Sequence, residues 1–447
     1  MKRVLIGFCL FAVYLTAVYG LMPFHDDWSY ATAPNPDFVW SQLLPSAAFW
    51  RPFDVLWGAM LSHCPNLFPV ANRACVALAH AISSVVLFDV FRRIGCAKKD
   101  AILGACFFAT SSALAATVVN SDTINQAWSF CWGAIALLVS LGAGCGTWKH
   151  RILIGGLVLL SILFKESGVS WLAVIPLVVC YRDRNGKLFM QQVGAGILLL
   201  VVYFVLRFAL MGDVQLGDGE YYALGFNPES VILSYLISVV LAISGIDALS
   251  FAIGAWPFFI VSLFSSVTFW GCWIASARQK ECGLKFGLAL LLALALATPH
   301  CFFKGHHPAE MHFYPVLFAG SLFVALLEMD KGMILVRIGG CVAFCFLTSS
   351  GWWDKLTESY RYSARTRNLF LRLQNTEIDF NKPVYFIAEG DPTVASYSVF
   401  SQSAGHGINW GKACRALNGW REFDYRIAYR PEHLAAIPWG AQTIRIK

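Results

Sequence analysis

Long apolar runs fill the first 350 positions, separated by short polar connectors. They cover Val4–Leu21 and then about 72–91, 101–119, 127–146, 152–164, 169–181, 190–210, 231–249, 251–276, 286–299, 313–328 and 333–350. A helix needs roughly 20 apolar residues to cross a bilayer, so the pattern predicts an all-α polytopic membrane domain. Several runs are nearer 13 residues, which predicts helices that end in a protein-lined cavity instead of open lipid. After position 350 the pattern changes. Residues 351–447 carry thirteen Lys and Arg and no long apolar run. That tail reads as a helix over 357–374, a strand over 383–388 and a strand over 443–447, a small C-terminal α/β domain.

Composition agrees with the pattern. Of 447 residues, 57% are hydrophobic and 14% charged, against about 25% charged in an ordinary soluble domain. A disordered chain and a conventional soluble enzyme are both excluded on that ground. The net charge of +7 comes from clusters between apolar runs, and no basic stripe suggests a nucleic-acid partner. The fourteen cysteines show neither zinc spacing nor a disulfide framework.

The clusters set sidedness through the positive-inside rule. Lys2 and Arg3, then Arg92, Arg93, Lys98 and Lys99, then Lys149 and Arg151, then Arg182, Arg184 and Lys187, then Arg278, Lys280 and Lys285, then Lys331 mark one face. The loops 120–126 and 211–230 have no Lys or Arg. The alternation is clean if 231–249 re-enters or lies in the interface. That leaves about eleven spans, with the N-terminus inside and the C-terminal domain outside. Arg337 interrupts the final run. No small-x-small cleavage site follows the first run, so it is read as an uncleaved span.

The first outer loop, about 22–71, is the richest in chemistry. It opens His25-Asp26-Asp27-Trp28 and continues to Trp50-Arg51-Pro52-Phe53-Asp54. An Asp helix cap with interfacial tryptophans is one reading of it. A general base placed where a lipid-borne substrate meets water is the other. Elsewhere on that face stand Asn120-Ser121-Asp122-Thr123, Lys165-Glu166-Ser167-Gly168, Arg207, and the histidine-rich stretch from His300 to Tyr314. Asp122 reads simply as part of a polar turn. Lys165 and Glu166 read as a pair at a helix end, and Arg207 as a snorkelling side chain. Arg73 reads as an interfacial anchor. The spacing of His306, Glu310 and His312 does not match His-Glu-x-x-His.

An acidic pair just after the first span, an Arg-Pro in the same outer loop and a Lys-Glu-x-Gly two loops later together resemble the GT-C integral-membrane glycosyltransferases. The nearest likeness is to the protein O-mannosyltransferase group with transmembrane and TPR segments; the TPR repeats are absent here. The resemblance covers about residues 1–350. It implies a GT-C-like domain over 1–350 and a separate extracytoplasmic domain over 351–447. It implies catalytic roles for Asp26 and Asp27, with Asp26 as the base. Donor contacts would come from Arg51, Lys165, Glu166, Arg207, Lys304, His307 and Tyr314. Relatives place a metal-binding acidic residue near Asp122; with His306, Glu310 and His312 it leaves a divalent metal open as a cofactor.

The expected reaction is inverting transfer of a sugar from a polyprenyl phosphate to an acceptor hydroxyl on a glycan, lipid or protein. A phosphate leaving group needs its charge held and little acid help, whereas the hydroxyl needs a base. Arg51, Lys165 and Lys304 are expected to converge near the carboxylates. A transporter or flippase, or a ligase or polymerase using a lipid diphosphate, are the competing classes. Absence of internal repeats counts against the transporter. No Asn-x-Ser/Thr sequon occurs, which favours a bacterial inner membrane.

Overall fold

The computed structural model describes residues 2–21, 43, 50–64, 70–119, 123–142, 147–211, 227–247, 256–277, 282–302, 312–328, 330–379, 381–388, 425–428 and 431–446. Its helices are α1 (Lys2–Val18), α2 (Pro52–His63), α3 (Val70–Ile94), α4 (Lys98–Thr110), α5 (Ala115–Val119), α6 (Ile124–Ser140), α7 (Trp148–Phe164) and α8 (Trp171–Asp183). They continue with α9 (Gly186–Met211), α10 (Pro228–Ser244), α11 (Trp256–Ala275), α12 (Cys282–Cys301), α13 (Phe313–Leu326), α14 (Ile334–Gln374) and α15 (Pro431–Ala435). Among the described residues five helices are long and apolar enough to cross a membrane. The protein is an integral membrane protein.

α13 is the central element: all fourteen of its residues are buried. Phe318 stacks on Phe91 and meets Phe130 and Trp171. Gly320 lies against Phe107 and Ile243. Outer elements show the reverse pattern. Ile197, Leu198 and Val205 of α9 are exposed, as expected where lipid is the solvent. One polar knot sits inside the core. His80 Nε2 lies 3.1 Å from the Ala109 carbonyl, so it carries the proton, and Nδ1 accepts from the Tyr314 hydroxyl at 3.0 Å. Tyr14 donates to the same carbonyl. Buried polar groups survive in a core when their partners are supplied in this way.

Three expected runs are cut differently. The run 101–119 is not one helix. α4 stops at Thr110, Ser111 turns out of helical geometry and its hydroxyl accepts from Ala113 N, and the chain passes through a 3-10 turn into α5. The helix expected over 357–374 is the C-terminal part of α14, which runs unbroken from the last apolar run, so position 350 lies inside a helix. α10 stops at Ser244, before the end of the run expected over 231–249. Trp270 donates to Ile243 O, Ser266 to Ser244 O, and Ser262 accepts from Asp247 N. Those bonds tie the end of α10 to α11, and Gly245 caps the helix. That residue is left-handed (φ 68°), a conformation glycine adopts without strain. Lys355 of α14 secures the segment after this helix end, 3.9 Å from Asp247 and donating to Ser112 O at 2.9 Å.

Beyond α14 three parallel strands, β1 (Val384–Ala388), β2 (Tyr425–Ala428) and β3 (Gln442–Ile446), form a sheet in the order β2-β1-β3. Val384 pairs with Tyr425 on one side and Gln442 on the other. β2 was not expected from the sequence.

Candidate functional site

One polar cluster gathers the ends of α2, α6, α7 and α9. α2 begins at Pro52, whose missing N–H costs nothing at the first helical position. This leaves Arg51 at the N-cap. Opposite, α7 ends at Phe164. Lys165 is extended, and Glu166–Ser170 form a 3-10 turn into α8. Gly168 explains that turn's sequence. A Cβ there would lie 2.5 Å from Ser161 Oγ and 2.6 Å from the Ser161 carbonyl carbon, so only glycine lets the turn fold back on α7. Phe53 stacks on Phe164 at 4.4 Å, which fixes α2 against α7.

The result is a bridge. Arg51 donates through Nε and Nη2 to Glu166 Oε2, at 3.0 and 2.9 Å. Arg207, fully buried near the end of α9, approaches Glu166 Oε1 at 3.9 Å and donates to the Tyr203 hydroxyl at 3.2 Å. Tyr203 lies one helical turn before Arg207, and Trp50 stacks on its ring at 5.9 Å. Asn125, at the start of α6, donates to Asp54 Oδ2 at 3.2 Å. Burial pushes the Asp54 carboxyl above the usual carboxylate range. The Arg51 charge, the Asn125 hydrogen bond and the Lys165 charge pull the other way, while Glu166 reinforces the rise. So one carboxylate spans two guanidiniums from separate elements, and a second, buried carboxyl whose pKa is raised lies beside it.

Of the residues expected from the sequence, the structure brings together Arg51, Glu166 and Arg207, with Lys165 adjacent in sequence and charge. Arg207 does not snorkel; it is sealed in. Arg73 is not an interfacial anchor either: it is fully buried and donates to the Leu21 carbonyl, at the mouth of the acidic loop. Tyr314 is not at the cluster's surface. It is fully buried against His80, Phe108 and Phe130, with no exposed edge for a substrate. His312 is buried and stacks on His300 at 4.2 Å. Asp26, Asp27, Asp122, Lys304, His306, His307 and Glu310 lie outside the described residues. Among the described residues no three His, Cys, Asp or Glu are grouped to hold a metal.

Four members of the cluster were given no role from the sequence: Trp50, Asp54, Asn125 and Tyr203. Two had a readable signal. Asp54 is three residues after Arg51 and Tyr203 four before Arg207, the spacings that put side chains on one helix face.

No family model matches the chain, and no curated protein does. Solved structures do match. One is the crystal structure of ArnT from Cupriavidus metallidurans bound to undecaprenyl phosphate, with a TM-score of 0.53 at 12% identity, covering 97% of this chain and 86% of that one. The chain therefore shares the overall fold of that membrane protein. An identity this low speaks for the fold alone.

Proposed function

We propose that this protein is an inverting glycosyltransferase that takes a sugar from a polyprenyl-phosphate donor and passes it to an acceptor hydroxyl at the membrane's outer face. The observation that carries the reading is the Arg51–Glu166–Arg207 bridge, set at helix ends in a fold shared with a protein bound to undecaprenyl phosphate. A lipid phosphate entering a partly desolvated site must be paired with cations. Two guanidiniums suit that task, because each presents N–H groups in a fork matching phosphate oxygens.

In this reading Glu166 holds the phosphate's place in the resting protein. Its carboxylate keeps Arg51 and Arg207 charge-balanced and aimed at one point. The donor phosphate competes for the same N–H groups, and its departing charge is then stabilised by them. Asp26 removes the acceptor proton, and Asp27 orients it. A single displacement inverts the anomeric carbon. Trp50, stacked on Tyr203, supplies an apolar wall. Lys304 and His307 complete the donor site, and no step here requires a metal. The basic face is cytoplasmic, as in a bacterial inner membrane, and residues 351–447 stand outside. Among GT-C groups the motifs favour the O-mannosyltransferase-like one, with a small glycan or lipid acceptor, since TPR repeats are absent.

The test is direct titration of purified protein with undecaprenyl phosphate. Arg51→Ala and Arg207→Ala should each weaken binding by about 1–3 kcal/mol, or roughly five- to 150-fold. Wild-type affinity in both variants would refute the phosphate site.

A further inference from the structure

A second feature lies away from that cluster. Between α7, α8 and α9 is a groove of about 420 Å³. Val158, Ile175, Leu199 and Val202 form its apolar walls. Its mouth is flanked by Ile152 and Leu198, both well exposed, so it opens towards lipid. One end only is polar. There Arg151 is exposed and donates to Gln191 at 3.0 Å, and both line the groove with Gln192. Gln192 Oε1 is buried and has no hydrogen-bond partner among the described residues. Lys149 and Lys187, in the first turns of α7 and α9, stand at the same end.

We infer that this groove is a binding site for an anionic phospholipid from the leaflet on the Arg151 side. One acyl chain fills the apolar channel, the phosphate rests on Arg151, and a headgroup hydroxyl donates to Gln192. Charge selects the headgroup, since a phosphate beside a guanidinium forms charge-assisted bonds and the nearby lysines add long-range attraction. An orphaned buried acceptor calls for a donor, which a glycerol headgroup provides. The polar end also decides against the tail of the sugar donor. It lies at the end of α7 opposite Lys165 and Glu166, where a tail hanging from the proposed phosphate site would place hydrocarbon against Arg151 and two glutamines. The inference does not depend on the glycosyltransferase reading.

Two variants test it. A Cβ added at Gly155, a groove residue, meets nothing within 4 Å; Gly155→Leu therefore plugs the channel without a backbone clash. Arg151→Ala removes an exposed charge and leaves the core untouched. The full-length protein, delipidated in detergent, is titrated with phosphatidylglycerol, phosphatidylcholine and undecaprenyl phosphate, and bound lipid is counted by native mass spectrometry. Phosphatidylglycerol should be preferred. Arg151→Ala should lower its affinity about tenfold and erase the preference over phosphatidylcholine, and Gly155→Leu should abolish retention while thermal stability in lipid-free detergent is unchanged. Equal retention of the two phospholipids by wild type, or wild-type retention by both variants, would overturn the inference. So would undecaprenyl phosphate being the lipid that Gly155→Leu loses.

Discussion

The protein buries charge at two ends of its helix layer in two different ways. At the end where α4 and α14 begin, Arg337 meets Asp100 at 3.3 Å, donates to the Leu327 carbonyl at 3.0 Å, and lies 4.1 Å over the Trp273 ring. Both side chains of that pair are about 5% exposed or less. At the other end, Glu166 and Arg51 keep about a fifth of their side chains exposed, and Glu166 is shared with Arg207. The first arrangement is sealed, with the guanidinium held on three sides. In the second, Arg51 and Glu166 are reachable while Arg207 is buried behind them, and the carboxylate bridges cations from the N-cap of α2 and from α9. A sealed pair serves the fold, since breaking it strands a charge. A shared and reachable carboxylate can be exchanged for another anion. Arg337, an interruption in the last apolar run, is thus explained as an internal clamp between α14, α4 and α11.

The strongest way to break this contrast is at the chemistry itself. If the reachable end is the reaction site, Asp26→Asn should lower turnover by two to four orders of magnitude while undecaprenyl phosphate binding stays within twofold. Near-normal turnover in a sugar-transfer assay would move the chemistry elsewhere.

Next in size is the sealed end. Arg337→Ala leaves Asp100 buried without its partner and should destabilise the protein by about 3–5 kcal/mol, read as a lower unfolding midpoint in detergent. Turnover per folded molecule should stay unchanged. A loss of donor affinity with stability intact would abolish the distinction between the two ends.

Glu166→Gln sharpens the other half. Removing the competing carboxylate should tighten undecaprenyl phosphate binding several-fold, about 1 kcal/mol, with a small loss of stability from the two arginines. Weaker or unchanged donor binding in a variant where wild type binds would show that Glu166 does not hold the phosphate's place.

The smallest effect concerns Asp54. Its folded carboxyl retains a proton to higher pH than an unfolded one because burial disfavours the charge. The native state therefore binds more protons, and stability falls as pH rises from the ordinary carboxylate range through the folded value. Asp54→Asn should flatten that slope in unfolding midpoints measured from pH 4 upward. An unchanged slope would mean that Asp54 is ionised in the folded protein.

Much of the helical layer was readable because lipid imposes a simple rule on side chains: apolar runs mark helices wherever backbone groups must be satisfied internally. The ends of those helices were less readable. The sequence shows no reason why α4 stops at Thr110; the Ser111 hydroxyl and its place beside Gly245 supply one. Strand β2 was missed because Tyr425–Ala428 is only four residues long and forms only by pairing with β1. The acidic pair, Arg51 and Lys165-Glu166 stood out as charges at the borders of apolar runs. Arg73 stood out for the same reason and Tyr314 through the family resemblance; both are core residues, because sequence marks a polar side chain without saying which neighbours enclose it.

By itself the sequence determined that the chain is a helical membrane protein, which face is basic, and which few polar segments could carry chemistry. Those follow from hydropathy and charge, properties of each residue alone. Only the tertiary structure decided that Arg51 and Arg207, 156 positions apart, share Glu166, that α10 ends at Gly245 against α11, and that Arg337 is clamped by Asp100. Those depend on distance in space, which burial and packing set between elements that no local pattern connects.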